Sequence, residues 1–521
     1  MQRFNWITQL AFYPLSLGAF LGIAIGFALK GYMLFEQISV LSGLLALLAL
    51  SLNIISYIFV RDADRAALLG SVVFLWIFSF GSFVNLIKGI PAAYYIAPDH
   101  NEIIYLILYS IIGLLAIWFS CAEPKYRFIS RNLGRVVIFL FIVSLAWEVY
   151  DVSSAESTAN LVTEMNRRIV SQLNVRADWK PDIYYIILDA TGSADTLRNV
   201  YGIKDIELFS HLRRLGFFVA DESRSNYDRT MLSLSSSLNF SYINYLQDWL
   251  PKHCTDFTVP FRLMQKNQLT YCLKKLGYKI VNVSSGFPPT EYNPYADINI
   301  SSGCCNDVYG AIAYGMTIQR PFEKYNHFLG DLIREKKSWI FTHIDYVAHI
   351  KGPKFVFIHI LLPHPPFIFG ADGTALPLDE RLEREPYTIE KYGGQVSFAF
   401  SQAQTMIDSL MKAPNGPAII VLQGDHGPAL NYSPYQYTDA YLKERFGILN
   451  AYFLPNCPAS RLYSSISPVN TFRVILNQYF RANLPLLPDK SYYAPSNFYT
   501  QFRFWKGVDN TKMLEEKPLY Q

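Results

Sequence analysis

The chain has 521 residues, 51% of them hydrophobic, and carries a formal net charge of only +4. So small a charge over that length gives no ground for nucleic-acid binding, and the length leaves room for several domains. The apolar residues are unevenly spread: the first 150 residues are strongly apolar, and the remainder has the composition of an ordinary water-soluble domain.

Five apolar stretches open the chain, at roughly 9–29, 38–60, 66–88, 102–121 and 136–150. A membrane-spanning helix needs about 20 mostly apolar residues. Four stretches reach that length, and the fifth can extend through Trp147 and Tyr150, residue types that favour membrane interfaces. Several spans follow the first without a small-residue cleavage pattern, which argues against a removed signal peptide. Basic residues then set the orientation. With a cytoplasmic N-terminus, Arg3, Arg61, Arg65, Lys125, Arg127, Arg131 and Arg135 lie inside, and only Lys30 and Lys88 lie outside. An odd number of spans places everything after about residue 151 outside the cytoplasm. Cys254, Cys272, Cys304, Cys305 and Cys457 then stand in an oxidising compartment, where disulfides persist. The expected localisation is the cytoplasmic (inner) membrane of a bacterium, with the second half periplasmic or extracellular.

Residues 151–180 read as a connector. Leu161, Met165, Ile169 and Leu173 recur every four positions, the stripe of an amphipathic helix. From residue 181 the pattern changes to short unalternated apolar runs: "PDIYYIILDA", "YKIVNVSS", "KFVFIHILLPHPPF" and "PAIIVLQGDHGP". Such runs suit strands buried on both faces of a mostly parallel sheet, with "SADTLRNVYG" and "VSFAFSQAQTMIDSLMKA" as covering helices. The expected architecture is a multi-pass helical membrane domain over 1–150, a connector helix over 151–180, and an α/β domain over 181–521.

Sites in open α/β sheets form beyond the carboxyl ends of the strands. Three of the runs finish in metal-binding residue types: Asp189, His364, and the pair Asp425–His426 between two glycines. Carboxylates with imidazole suit one divalent ion of the zinc or manganese kind. His359, inside its strand, reads as structural. No CxxC pair is present, so a thiolate zinc site is not expected. The hydroxyl-rich stretch "SNYDRTMLSLSSSLNFSYI" supplies candidate nucleophiles. Thr230 precedes a helix whose apolar face includes Met231, Leu234 and Leu238, and a helix N-terminus favours an alkoxide or a phosphate oxygen. Read alone, the stretch leaves Thr230 as nucleophile, Thr230 as helix cap, and Ser225 or Ser233 as alternatives.

Taken together, Asp189 after a strand, "SNYDRTMLSLSSSLN", "LLPHPPF" and "GDHGP" resemble the alkaline phosphatase/sulfatase superfamily. The likeness is to its membrane-anchored branch of lipoteichoic acid synthases and lipid A phosphoethanolamine transferases, and "ERFGILNAYFLP" and "SPVNTFR" are similar to the same group. The resemblance implies five spans followed by an extracytoplasmic catalytic domain. It puts the metal on Asp189, Thr230, Asp425 and His426, with Thr230 the nucleophile rather than Thr191. It gives His364 contact with the transferred group, and Arg224 is a candidate for pairing with phosphate. The implied reaction moves a phospho-group from a phospholipid donor to an envelope glycan or lipid through phospho-threonine. The alternatives are a hydrolase of phosphate or sulfate esters and a non-catalytic membrane scaffold. The chain departs from the family where it lacks the C/S-x-P-x-R motif of true sulfatases, offers Asp where the transferases have Glu as first ligand, and has no histidine after His426.

Overall fold

A computed structural model describes residues 7–28, 35–80, 83–84, 102–122, 125–171, 173–204, 206–251, 254, 257–302, 317, 321, 328–377, 389–429, 438–494 and 503–505. Arg3, Lys30, Lys88, Cys304 and Cys305 lie outside those residues. No disulfide joins the cysteines among the described residues.

The chain forms two compact units, one built mainly from residues 1–155 and the other from 156–307 and 330–521. In the first, four helices are long and apolar enough to cross a membrane: Thr8–Gly26, Ile38–Val60, Tyr105–Ala122 and Tyr126–Trp147. The stretch expected at 66–88 forms the helix Ala63–Phe78, of 16 residues, and most of 79–88 lies outside the described residues. Gly18, Gly22 and Gly26, four apart, let the first two long helices meet closely. An added Cβ at these positions would come within 2.3 Å of Leu45 O, 2.4 Å of Ser42 Cα and 2.8 Å of Ile38 Cδ1. Apolar side chains have little drive to leave lipid, so small residues that permit close packing hold such helices together. Asp62 caps the Ala63–Phe78 helix through Arg65 N at 3.0 Å and binds Tyr126 and Arg127 at 3.1 Å each.

The fifth stretch is longer than expected. One helix runs unbroken from Tyr126 to Ser171, 46 residues with no proline inside, and absorbs much of the connector. Its far end buries Ala159, Val162, Thr163 and Val170, while Leu161 is exposed. The buried stripe is therefore offset from the four-residue repeat in the sequence. From Glu156 on, the helix belongs to the second unit, and within that unit Arg167 sits over the Tyr271 ring of the Gln268–Lys275 helix at 5.8 Å.

The second unit is an α/β domain around a seven-stranded sheet. Its strands are β1 (Ile183–Leu188), β2 (Phe218–Val219), β3 (Lys279–Val283), β4 (Ile298–Ile300), β5 (Lys354–Ile360), β6 (Ile419–Gln423) and β7 (Asn450–Phe453), in the order β2-β7-β6-β1-β5-β3-β4. All four unalternated runs are strands, and they pair in parallel, β6 to β1, β1 to β5 and β5 to β3. Every residue of β1 is buried, as a central strand covered on both faces requires. Tyr185 packs edge-on to Phe472 at 4.9 Å, placing the Pro468–Phe480 helix on one face. The antiparallel β7 and two-residue β2 close one edge.

Candidate active site

The three central strands β6, β1 and β5 run the same way, so their carboxyl ends share one rim. Asp189 follows β1 directly and its N–H donates to Ile360 O at 2.9 Å, which locks it to the end of β5. Asp425 follows β6 by one glycine and accepts from Ala190 N at 3.2 Å. Ala190 itself has φ 61°, a left-handed conformation that is unfavourable for a residue with a Cβ. Strain of this kind clusters where a structure fixes reacting groups.

The glycines of "GDHG" allow the close approach that their size suggests. A Cβ at Gly424 would lie 2.5 Å from Thr191 O, and one at Gly427 would lie 2.1 Å from Glu444 O. Both obstacles are backbone and cannot swing away.

One ligand atom from each of Asp189, Asp425 and His426 falls within 4.8 Å of the others, and all three residues are buried. His426 Nε2 is 3.2 Å from Asp425 Oδ2 and 3.6 Å from Asp189 Oδ1. Neither of those carboxylate oxygens has a hydrogen-bond partner among the described residues. Burial opposes charge on Asp189, yet His364, His359 and His426 around it hold its carboxyl well below the usual range. Asp425 goes the other way, because burial and the neighbouring Asp189 charge both push it well up. Burial and the Arg445 guanidinium push His426 well down.

The imidazole tautomers follow from their carbonyl partners. His426 Nδ1 lies 3.0 Å from Gly427 O and must donate to it, leaving a lone pair on Nε2. His364 Nδ1 is likewise 2.7 Å from Pro365 O, so its Nε2 also carries a lone pair. His364 is half-buried, and burial lowers its pKa although the Asp189 charge resists. Two orphaned carboxylate oxygens and a bare imidazole nitrogen within one small volume are a donor set that fits a divalent cation.

Thr230 comes to the same place. It is the first residue of the helix Thr230–Leu238, whose N-cap is Arg229, so Thr230 does not cap that helix. Its Oγ1 lies 3.0 Å from His426 Nε2. The serines beside it donate to backbone instead: Ser233 to Asp425 O at 2.6 Å, Ser235 to Met231 O and Pro260 O, and Ser236 to Ser241 O. Ser225 and Thr191 are buried with no hydroxyl partner among the described residues, and neither belongs to the ligand cluster. Arg224 is exposed, with its backbone bridged to Gly447.

Three further residues surround the cluster without a local signal in the sequence. His359 points Nε2 at Asp189 Oδ2 from 3.3 Å while its Nδ1 meets the Thr290 hydroxyl at 3.0 Å. Lys337 is buried, donates to His364 O at 2.7 Å, and is pushed down to about 7 by burial against the pull of Asp189. Arg445 donates to Asp228 O and Gly427 O, at 2.7 Å each.

No family model and no curated protein matches the chain. Solved structures do. The C-terminal periplasmic domain of EcEptC from Escherichia coli, in complex with zinc, is 12% identical with a TM-score of 0.41, covering 66% of this chain and 95% of that one. The integral membrane lipooligosaccharide phosphoethanolamine transferase A of Neisseria meningitidis is 11% identical with a TM-score of 0.38, covering 90% and 95%. The lipoteichoic acid synthase LtaP of Listeria monocytogenes is 13% identical with a TM-score of 0.38, covering 66% and 86%. Overlaps at this level fix neither activity nor substrate, which rest on the side chains.

Proposed function

We propose that the protein is a membrane-anchored, metal-dependent phosphotransferase that moves a phospholipid-derived phospho-group to an envelope glycan or lipid through Thr230. The observation that carries this reading is the Thr230 hydroxyl, 3.0 Å from His426 Nε2 at the start of a buried helix, beside two carboxylates with unpartnered oxygens. Asp189, Asp425, His426 and the Thr230 oxygen would hold one divalent cation, zinc or manganese. Such an ion lowers the pKa of a bound hydroxyl and neutralises charge on phosphoryl oxygens.

The chain's own residues then divide the work. The Thr230 oxygen bonds to phosphorus as the P–O bond to the lipid alcohol breaks, and the hydroxyl proton ends on that alcohol. In the second step an acceptor hydroxyl takes the phospho-group and its proton returns to Thr230. His364, with a lone pair on Nε2, is the group suited to relay that proton. Thr230 lies at the N-terminus of its helix, where the backbone N–H groups favour the developing negative charge.

The test is intact-protein and peptide mass spectrometry of metal-loaded protein incubated with phospholipid vesicles, together with release of diacylglycerol. A phospho-adduct on residue 230 that disappears in Thr230→Ala, with diacylglycerol formed, supports the reading. Turnover of soluble phosphate or sulfate esters without lipid cleavage would make the protein a hydrolase. Absence of metal, with Thr230→Ala matching the parent, would leave a scaffold.

A further inference from the structure

We propose that Arg445 is the oxyanion-binding residue of this site, its free guanidinium nitrogen taking a non-bridging oxygen of the phospho-group. This rests on the reading that the site handles a phosphate ester. Arg445 lies in the helix Asp439–Phe446 and is half-buried. Its Nε donates to Asp228 O and its Nη1 to Gly427 O, and Gly427 N donates back to Arg445 O at 2.7 Å. One anchor is two residues before Thr230 and the other directly follows His426. The plane of the guanidinium is therefore fixed by the two loops that carry the nucleophile and a ligand. The carbonyl it holds, Gly427 O, is also the one that sets the His426 tautomer.

The third nitrogen, Nη2, has no hydrogen-bond partner among the described residues, and it is not sealed from solvent as the orphaned carboxylate oxygens are. Its two N–H groups remain available for an anion. The guanidinium charge reaches the cluster, acting on Asp425, His426 and His364.

A charge balance says why such a group is needed. Asp189 and Asp425 bring two negative charges, which a divalent cation cancels, and an imidazole that binds a metal does so in its neutral form. A phosphodiester then adds one negative charge in a buried place, which is costly without a cation. Lys337 is a poor provider, since its buried ammonium is directed at His364 O and Pro366 O. Arg229 is turned to Ala494 O at 3.0 Å. Arg445 offers the planar donor fork that matches a tetrahedral oxyanion.

The experiment titrates zinc-loaded, full-length protein in detergent with inorganic phosphate and with orthovanadate, and separately titrates the metal-free protein with zinc. In Arg445→Lys and Arg445→Ala, oxyanion affinity is expected to fall at least about tenfold, as loss of a charge-assisted hydrogen bond implies. Zinc affinity is expected to stay within about threefold of the parent, and guanidinium ion is expected to restore part of the oxyanion binding of Arg445→Ala. Unchanged oxyanion affinity, or a fall in zinc affinity as large as the fall in oxyanion affinity, overturns the assignment and leaves Arg445 a clamp between loops. Should Arg445→Ala not fold, Arg445→Lys decides by the same two titrations. A zinc-loaded parent that binds neither anion overturns the phosphate-ester reading itself.

Discussion

The hydroxyl of Thr230 and the imidazole of His426 meet at 3.0 Å although 196 positions separate them in the chain. The contact exists because one residue opens a helix and the other closes the turn after β6, and Ser233 ties the two by donating to Asp425 O. The hydroxyl thereby faces the imidazole of the Asp189, Asp425 and His426 cluster.

Replacing Thr230 by alanine is expected to remove the adduct and lower turnover by at least about 10³-fold, the scale on which nucleophile deletions act. Thr230→Ser should keep a measurable part of both. Single-turnover kinetics with labelled phospholipid reads the two variants against the parent.

Metal binding should release a proton. Burial and the Asp189 charge push the Asp425 carboxyl well up in the metal-free protein, and a carboxylate must be deprotonated to bind a metal. Zinc affinity is therefore expected to rise with pH, by up to about tenfold per unit while Asp425 remains protonated. Calorimetric titrations in buffers of different ionisation enthalpy count the released protons, and a count of zero contradicts the expectation.

Lys337 predicts a slope in stability. Its folded value of about 7 lies below the ordinary lysine value, so between about 7 and the unfolded value the unfolded chain binds a proton that the folded chain does not. Stability therefore rises with pH across that window, and the gain is lost as pH falls towards 7. The slope from this one group is at most about 1.4 kcal/mol per pH unit. Denaturant unfolding of Lys337→Met at several pH values should show a shallower rise than the parent.

Gly427→Ala tests the backbone fit. Its Cβ would stand 2.1 Å from Glu444 O, so the turn carrying His426 must move. Zinc affinity is expected to fall by roughly 10- to 100-fold, the range seen when support around a ligand is disturbed. Zinc titration against a metallochromic indicator measures the change.

The central sheet is legible in the sequence because β1, β3, β5 and β6 are continuous apolar runs with sharp polar ends. The edge strands are not: β2 has two residues, and β7 begins with Asn450, whose amide is used by Ser223, Tyr452 and Ile466 O. At the site, Asp189, His364, Asp425 and His426 announce themselves by following strands. His359 does not, since it sits within a strand and looks like core until its ring is placed beside Asp189. Lys337 in "REKKSW" and Arg445 in "LKERFG" read as solvated helix faces. Only tertiary packing turns them inward, and no periodicity reports that.

All nine residues of the Thr230–Leu238 helix are buried, and its serines tether it to the surrounding backbone. A segment held so firmly has no slack to reorganise when substrate arrives, so its amide protons should be among the slowest in the molecule to exchange with deuterium. The attacking oxygen would then be aimed before any donor binds, and preference among donors would have to come from elsewhere.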